Sequence, residues 1–237
     1  MIPHRGSRAR VVVRGHNGDV PRSLRVLSFN VRQLRDDRAA VVDLLRTADA
    51  DVVALQEPPR GPFGRGRLRA VAREAGYEPA VSGAGARTTA ILVRTGTPVT
   101  GPRGVRLPWR PGRTRRGLAV ADVAGVRVVS VHLSLFPAER AAHLIRLLLM
   151  VRATEGPCVV AGDLNEEPGG PTWRRLSLVL RDATAAVGPT FTARRPRRRL
   201  DAIHVSPGVT TSGARALRGD VAVRASDHCG VVVDLTW

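Results

Sequence analysis

The sequence contains no lysine. Loss of one whole residue type points to a compositional bias rather than to selection at each site. That bias accounts for arginine in place of lysine. It does not account for 38 basic residues against 20 acids, a net charge of +18. Cysteine is nearly absent too. Cys158 and Cys229 are the two that occur, which excludes a disulfide framework. Both adjoin apolar runs and are expected to be buried free thiols. There is no CxxC and no HExxH, so a zinc site lacks its usual ligands. Aromatic residues make up only 3% of the chain, and a platform of stacked aromatics for bases is not evident. No run approaches the roughly 20 apolar residues of a membrane-spanning helix, so no transmembrane segment is expected. The opening "MIPHRGSRARVVVRGHNGDVPRS" offers only "VVV", too short for a secretory signal. Residues 1–23 read as a basic, mobile arm, and a cytoplasmic location is expected.

What is present suits one domain over 24–237, long enough to bury a large core without staples. Short apolar runs alternate with longer amphipathic ones. "LRVLSFN", "DVVALQE", "TTAILVR" and "CVVAGD" read as strands. "LAVADV" and "VRVVSVHL", joined at Gly125, read as a hairpin. Asp36 or Asp37 can cap a helix carrying Val41, Leu44, Leu45 and Ala48 on one face. "PAERAAHLIRLLLMVRA" is the clearest helix, with Pro137 in its first turn. Short helices are expected near 67–75 and 171–178, and three strands follow: "LDAIHVS", roughly 209–217, and "GVVVDLTW". Strands mixed with helices predict an α/β (α+β) fold with covered sheet faces.

Polar residues sit on these strands in a consistent place. Asn30 and Glu57 end the first two. His132 ends "VRVVSVH", and Asp163 ends "CVVAGD" with Asn165 just beyond. On the late strands the order reverses: Asp201 opens one, and Asp227 and His228 precede another. Each alone is an ordinary turn or capping residue. If the late strands run antiparallel to the early ones, all meet at one sheet edge, where open α/β folds bind ligands.

Carboxylates, amides and histidines without cysteine suit a hard cation, Mg²⁺ or Mn²⁺. Such a group meets the needs of phosphate-ester hydrolysis, in which negative charge builds as water attacks. The ordered motifs "SFN", "LQEP", "VHL", "GDLNEEP", "LDAIHVS" and "SDHCGVVV" resemble the endonuclease/exonuclease/phosphatase superfamily, from about residue 24 to the C-terminus. The resemblance implies a four-layer sandwich, two mixed β-sheets face to face between helices. It implies that Glu57 is the principal metal ligand, with Asn30 beside it and Asp227 in the metal sphere. Asp163 matches the residue that orients or deprotonates the attacking water, and Asn165 the one that holds the phosphate. His228 matches the histidine on the scissile phosphate, Asp201 its partner carboxylate, and His132 a second phosphate contact or proton donor.

The expected activity is metal-dependent phosphodiester cleavage, with nucleic acid as the partner that the charge favours and no protein partner inferred. A phosphatase or phospholipase-type hydrolase acting on a headgroup or soluble ester is the alternative. A basic nucleic-acid-binding module without turnover is a further one. Arg113, Arg115 and Arg116, in a loop with Arg110, are candidates to grip substrate phosphates; composition alone explains them equally well. Arg140 and His143, one helical turn apart, are expected to be structural.

Overall fold

The computed structural model describes residues 22–237. Most of the arm expected over 1–23 lies outside the described residues, and Ser23 already belongs to the first strand. The first half of the chain builds one sheet. Strand β1 (Ser23–Asn30) leads through helix α1 (Arg38–Ala48) to β2 (Val52–Gln56), and α2 (Gly64–Glu74) leads to β3 (Tyr77–Ser82) and β4 (Thr89–Arg94). The second sheet opens with β5 (Val99–Arg106), β6 (Gly117–Val123) and β7 (Val126–His132). Helix α3 (Pro137–Arg152) crosses to β8 (Cys158–Asp163), and α4 (Pro171–Leu176) precedes β9 (Arg181–Asp182) and β10 (Asp201–Val205). The chain then returns to the first sheet as β11 (Thr210–Ala216), α5 (Asp220–Ala225) and β12 (Val231–Thr236).

Each sheet has six strands, in the orders β11-β12-β1-β2-β4-β3 and β5-β6-β7-β8-β10-β9. Both are mixed: β1 and β7 pair in parallel with β2 and β8, and the other pairings are antiparallel. Three apolar layers follow from the burial pattern. Val26, Val52 and Ile91 meet Ala119, Val128 and Ile203 between the sheets. Leu27, Phe29 and Leu55 pack outward on Leu44, Leu45 and Leu68 of the first helices. Val129 and Val160 pack on Leu144, Leu147 and Trp173 of α3 and α4. The result is the expected four-layer sandwich. Central strands buried on both faces explain why runs such as "VRVVSVH" carry little polar alternation.

Local rules account for the helix ends. The Asp37 carboxylate accepts from the Ala40 amide at 3.1 Å and starts α1. Pro137 sits in the first turn of α3, where its missing N–H costs nothing. Cys158 and Cys229 are buried and unpaired, as expected.

His204, on β10, is fully buried against the Trp173 ring, 5.3 Å between centroids, and neither ring nitrogen has a hydrogen-bond partner. Burial pushes its pKa down from 6.5 to about 4, although Asp182 pulls the other way. The unfolded chain therefore binds this proton more readily. The stabilisation is complete above pH 6.5 and is lost as pH falls towards 4, a change of about 3 kcal/mol. Denaturant melts between pH 7 and 4.5 should show that extra loss in the wild type and not in His204→Leu. Parallel curves for the two proteins would contradict it.

Candidate active site

Strand direction brings the polar tips together. Strands β1, β2, β7 and β8 all end at one edge, while β10 and β12 begin there. In the second sheet, His132 is in register with Asp163, and Asp163 with Asp201, so three strands deliver one row. In the first, Asn30 is in register with Gln56, and Glu57 is the next residue. The two rows face each other across the sandwich. Gly162 makes the second row fit: a β-carbon there would run into the Val131 carbonyl of the adjacent strand.

Asp163 is the hub. It is 1% exposed. One carboxylate oxygen accepts the Asn165 amide at 2.8 Å, and the other accepts Asn30 Nδ2 from the opposite sheet at 3.3 Å. That second oxygen also lies 3.5 Å from His132 Nε2 and 3.9 Å from His228 Nε2. Burial raises the Asp163 pKa, and the His228 cation and the Asn165 amide work against that rise. The carboxylate thus has more basicity than an exposed aspartate, which is what activation of water requires.

His228 is positioned from behind. Its Nδ1 donates to Asp201 Oδ2 at 2.9 Å, leaving Nε2 directed to the Asp163 side. Burial alone would lower its pKa. The charges of Asp201, Asp163 and Asp227, with the Asp201 hydrogen bond, outweigh burial and push it up to about 10. The imidazole is therefore a cation at neutral pH. His132 differs. It is 3% exposed and its pKa is lowered, by burial first and then by the Arg116 and His228 cations. It stands neutral, with one N–H to offer.

Several supports had no sequence signal. The Thr190 hydroxyl donates to Asp201 Oδ2 at 2.7 Å and accepts the Leu200 and Asp201 amides. Ser226 donates to the Asn30 carbonyl at 2.7 Å and accepts the His228 amide at 3.3 Å. The Phe191 ring lies 4.8 Å from the His228 ring. Isolated Ser and Thr in loops look alike in a sequence, and only the fold singles these out. Glu57 and Asn165 share one further trait: both have left-handed backbones, φ 49° and 51°. That conformation is uncommon outside glycine and clusters at functional sites.

The arginines divide. Arg116 is 7% exposed, and its Nη1 donates to the His132 carbonyl at 3.2 Å. It underlies the site, whereas its loop neighbours Arg113 and Arg115 are exposed. Arg140 and His143 are structural as expected: Arg140 bridges the Ser134 and Leu135 carbonyls to Glu166, and His143 bonds the Pro108 carbonyl at 2.9 Å.

Asp163, Asp201 and His228 offer ligand atoms within 4.8 Å of one another. A protonated His228 already bonded to Asp201 has no lone pair for a metal, so this trio suits proton and phosphate handling. The oxygen donors for a hard cation lie beside it. Glu57 takes part in no ion pair among the described residues. Asp227 has only Arg32, at 3.5 Å, and stays one-third exposed. Two carboxylates with a single arginine between them at a common edge fit a divalent ion.

The sequence model of the endonuclease/exonuclease/phosphatase family matches residues 27–228, nearly the whole described chain. The chain belongs to the endonuclease/exonuclease/phosphatase family. It is a hydrolase of that family, whose enzymes generally depend on a divalent metal. Solved structures agree on the fold. A family member from Bacteroides vulgatus superposes with a TM-score of 0.73 at 20% identity, covering 90% of this chain and 98% of its own. A mannosyl-6-phosphatase from Bacteroides thetaiotaomicron gives 0.69 at 18%, covering 90% and 100%. An AP endonuclease from Archaeoglobus fulgidus gives 0.67 at 19%, covering 89% and 98%. No curated protein matches the chain. Among the described residues, no helix of this family member is long and apolar enough to cross a membrane.

Proposed function

We propose that this protein is a Mg²⁺- or Mn²⁺-dependent phosphodiesterase that cleaves nucleic acid. The observation that carries the reading is the buried trio of Asp163, His228 and Asp201, with the oxygen donors Glu57 and Asp227 next to it in the chain's strand-end row, Asp227 paired only with Arg32. Glu57, Asn30 and Asp227 would hold the ion. The ion supplies Lewis-acid stabilisation of the charge that builds on the phosphoryl oxygens. Asp163, oriented by its Asn30 and Asn165 bonds, accepts a proton from the water that attacks in line; the P–O bond opposite the water breaks, and the leaving oxygen takes its proton from solvent. His228 donates its Nε2–H to a non-bridging oxygen, with Asp201 keeping it charged. His132 and the second Nδ2–H of Asn165, whose amide also donates to the Leu133 carbonyl at 2.9 Å, add neutral donors to the same phosphate without adding negative charge.

The net charge of +18 favours a polyanionic substrate. Structural relatives include both a mannosyl-6-phosphatase and an AP endonuclease, so the same fold serves monoesters and nucleic acid. The test is a substrate panel: plasmid, oligonucleotides, bis(p-nitrophenyl) phosphate and sugar 6-phosphates, each with Mg²⁺, Mn²⁺ or EDTA. Cleavage of the polynucleotides that ceases in EDTA is expected. Preference for a monoester, with no nicking, would replace nucleic acid by a small phosphate ester. Salt-sensitive DNA binding without turnover on any substrate would leave only a binding module.

A further inference from the structure

A pocket of about 660 Å³ opens beside Glu57, built by three separate segments: 58–68, 82–87 and 109–115. Five arginines line it, Arg60, Arg65, Arg87, Arg113 and Arg115, together with Trp109 and no acidic residue. Nine of the described arginines form ion pairs, and none of these five does. Composition explains many arginines. It does not explain why five of them, with no acid among the lining residues, converge from three segments on one concavity.

Three of the cations are held rather than loosely tethered. Arg115 lies over the Trp109 ring at 4.3 Å, and Arg113 over the Phe136 ring at 3.2 Å. Trp109 Nε1 donates to the Arg113 carbonyl at 2.7 Å and closes that loop. The Arg65 guanidinium lies flat on Gly83, whose φ is +69°, in the space a β-carbon would occupy. Ala84 and Arg87 also have left-handed backbones, φ 41° and 59°. This loop is pinned by close glycine contacts: β-carbons on Gly85 or Gly117 would strike backbone across the Gly85–Gly104 and Gly85–Gly117 approaches. Helix α2 begins at the pocket with no acid in its first turn, and Arg65 stands there against the positive helix end. Without a ligand, five like charges and a helix N-terminus repel one another; an anion reverses that balance.

Resting on the phosphodiesterase reading, we propose that this pocket is a second phosphate site, which grips the backbone of a nucleic-acid strand away from the scissile phosphate. The pocket lies next to the cleft: Arg60, three residues past Glu57, is near enough for its charge to act on His132 and Arg116, and Arg115 adjoins Arg116, which bonds the His132 carbonyl. Its volume lies within the few-hundred to roughly 1,000 Å³ range of organic-ligand sites, larger than one phosphate needs. Trp109, 40% exposed, adds an aromatic surface suited to a base. Guanidinium forks grip phosphate in two-point contact.

The test is equilibrium binding of a fluorescein-labelled octathymidylate to the full chain in EDTA, followed by anisotropy. Arg65→Ala/Arg87→Ala should weaken binding at least about tenfold at 0.1 M salt. It should also reduce the slope of log K against log salt by about 1.4, near 0.7 for each of the two lost single-strand phosphate contacts. Arg38→Ala/Arg224→Ala removes the same charge from ion-paired surface positions and should weaken binding less than threefold. Equal losses for the two double variants would overturn the site. Tripolyphosphate displacing the strand at lower concentration than unlabelled octathymidylate would overturn the nucleic-acid assignment. Turnover of bis(p-nitrophenyl) phosphate by wild type is measured in parallel. Its absence counts against the catalytic reading alone, because the binding data need no metal and no turnover.

Discussion

Asp163→Asn lowers kcat by at least about a hundredfold, with a much smaller change in KM. That magnitude is the usual worth of a positioned general base. The replacement keeps the shape and the Asn165 contact but removes the one buried carboxylate that faces both histidines. Burial has raised its proton affinity, and an amide has none to offer. The measurement is steady-state kinetics on bis(p-nitrophenyl) phosphate, with thermal melts to check the fold. A loss below threefold in a folded variant would remove Asp163 from the chemistry.

His228→Ala costs a similar factor, because it deletes the only imidazole in the cleft that is held as a cation. Asp201→Asn reaches part of that loss by another route. Asp201 is the main force raising His228 to about 10. Without it, the His228 pKa falls towards 6.5, and the imidazole loses its charge as pH rises through neutrality. The variant should therefore be most impaired at high pH and partly recover at pH 6, whereas the wild type keeps its cation up to about pH 10. NMR titration of the His228 ring reads the shift directly. The His228→Ala/Asp201→Asn double variant should be no worse than His228→Ala, since the two act as a unit. Additive losses would show that Asp201 works independently of the histidine.

Much of this site can be read along the sequence because polar residues interrupt apolar strands only at their ends. Asn30, His132 and Asp163 are recognisable for that reason, and the register brings them level. Edge strand β5 gives no such signal. Its sequence, VTGPRGVR, has two glycines and a proline, and its residues are mostly exposed, so no core face dictates a pattern. Helix α5 is only six residues and blends into its flanking loops. Thr190 and Ser226 gain meaning from partners at Asp201, Asn30 and His228. The basic loop shows the limit most clearly. Arg113, Arg115 and Arg116 are nearly adjacent, yet the fold buries Arg116 and leaves the others at the pocket rim. Arg60, Arg65 and Arg87 join them only once the chain has folded back twice.

The cleft is a seam. Asn30, Glu57 and the Asp227–His228 pair come with one sheet, and His132, Asp163 and Asp201 with the other; the bonds Asn30–Asp163 and His228–Asp201 stitch across. Neither half of the sandwich owns a complete set of reactive groups. Turnover is thus a gauge of how the two slabs are seated. A small slide between them would silence the enzyme while each slab kept its own hydrogen-bond ladder, and a far-ultraviolet spectrum would hardly notice.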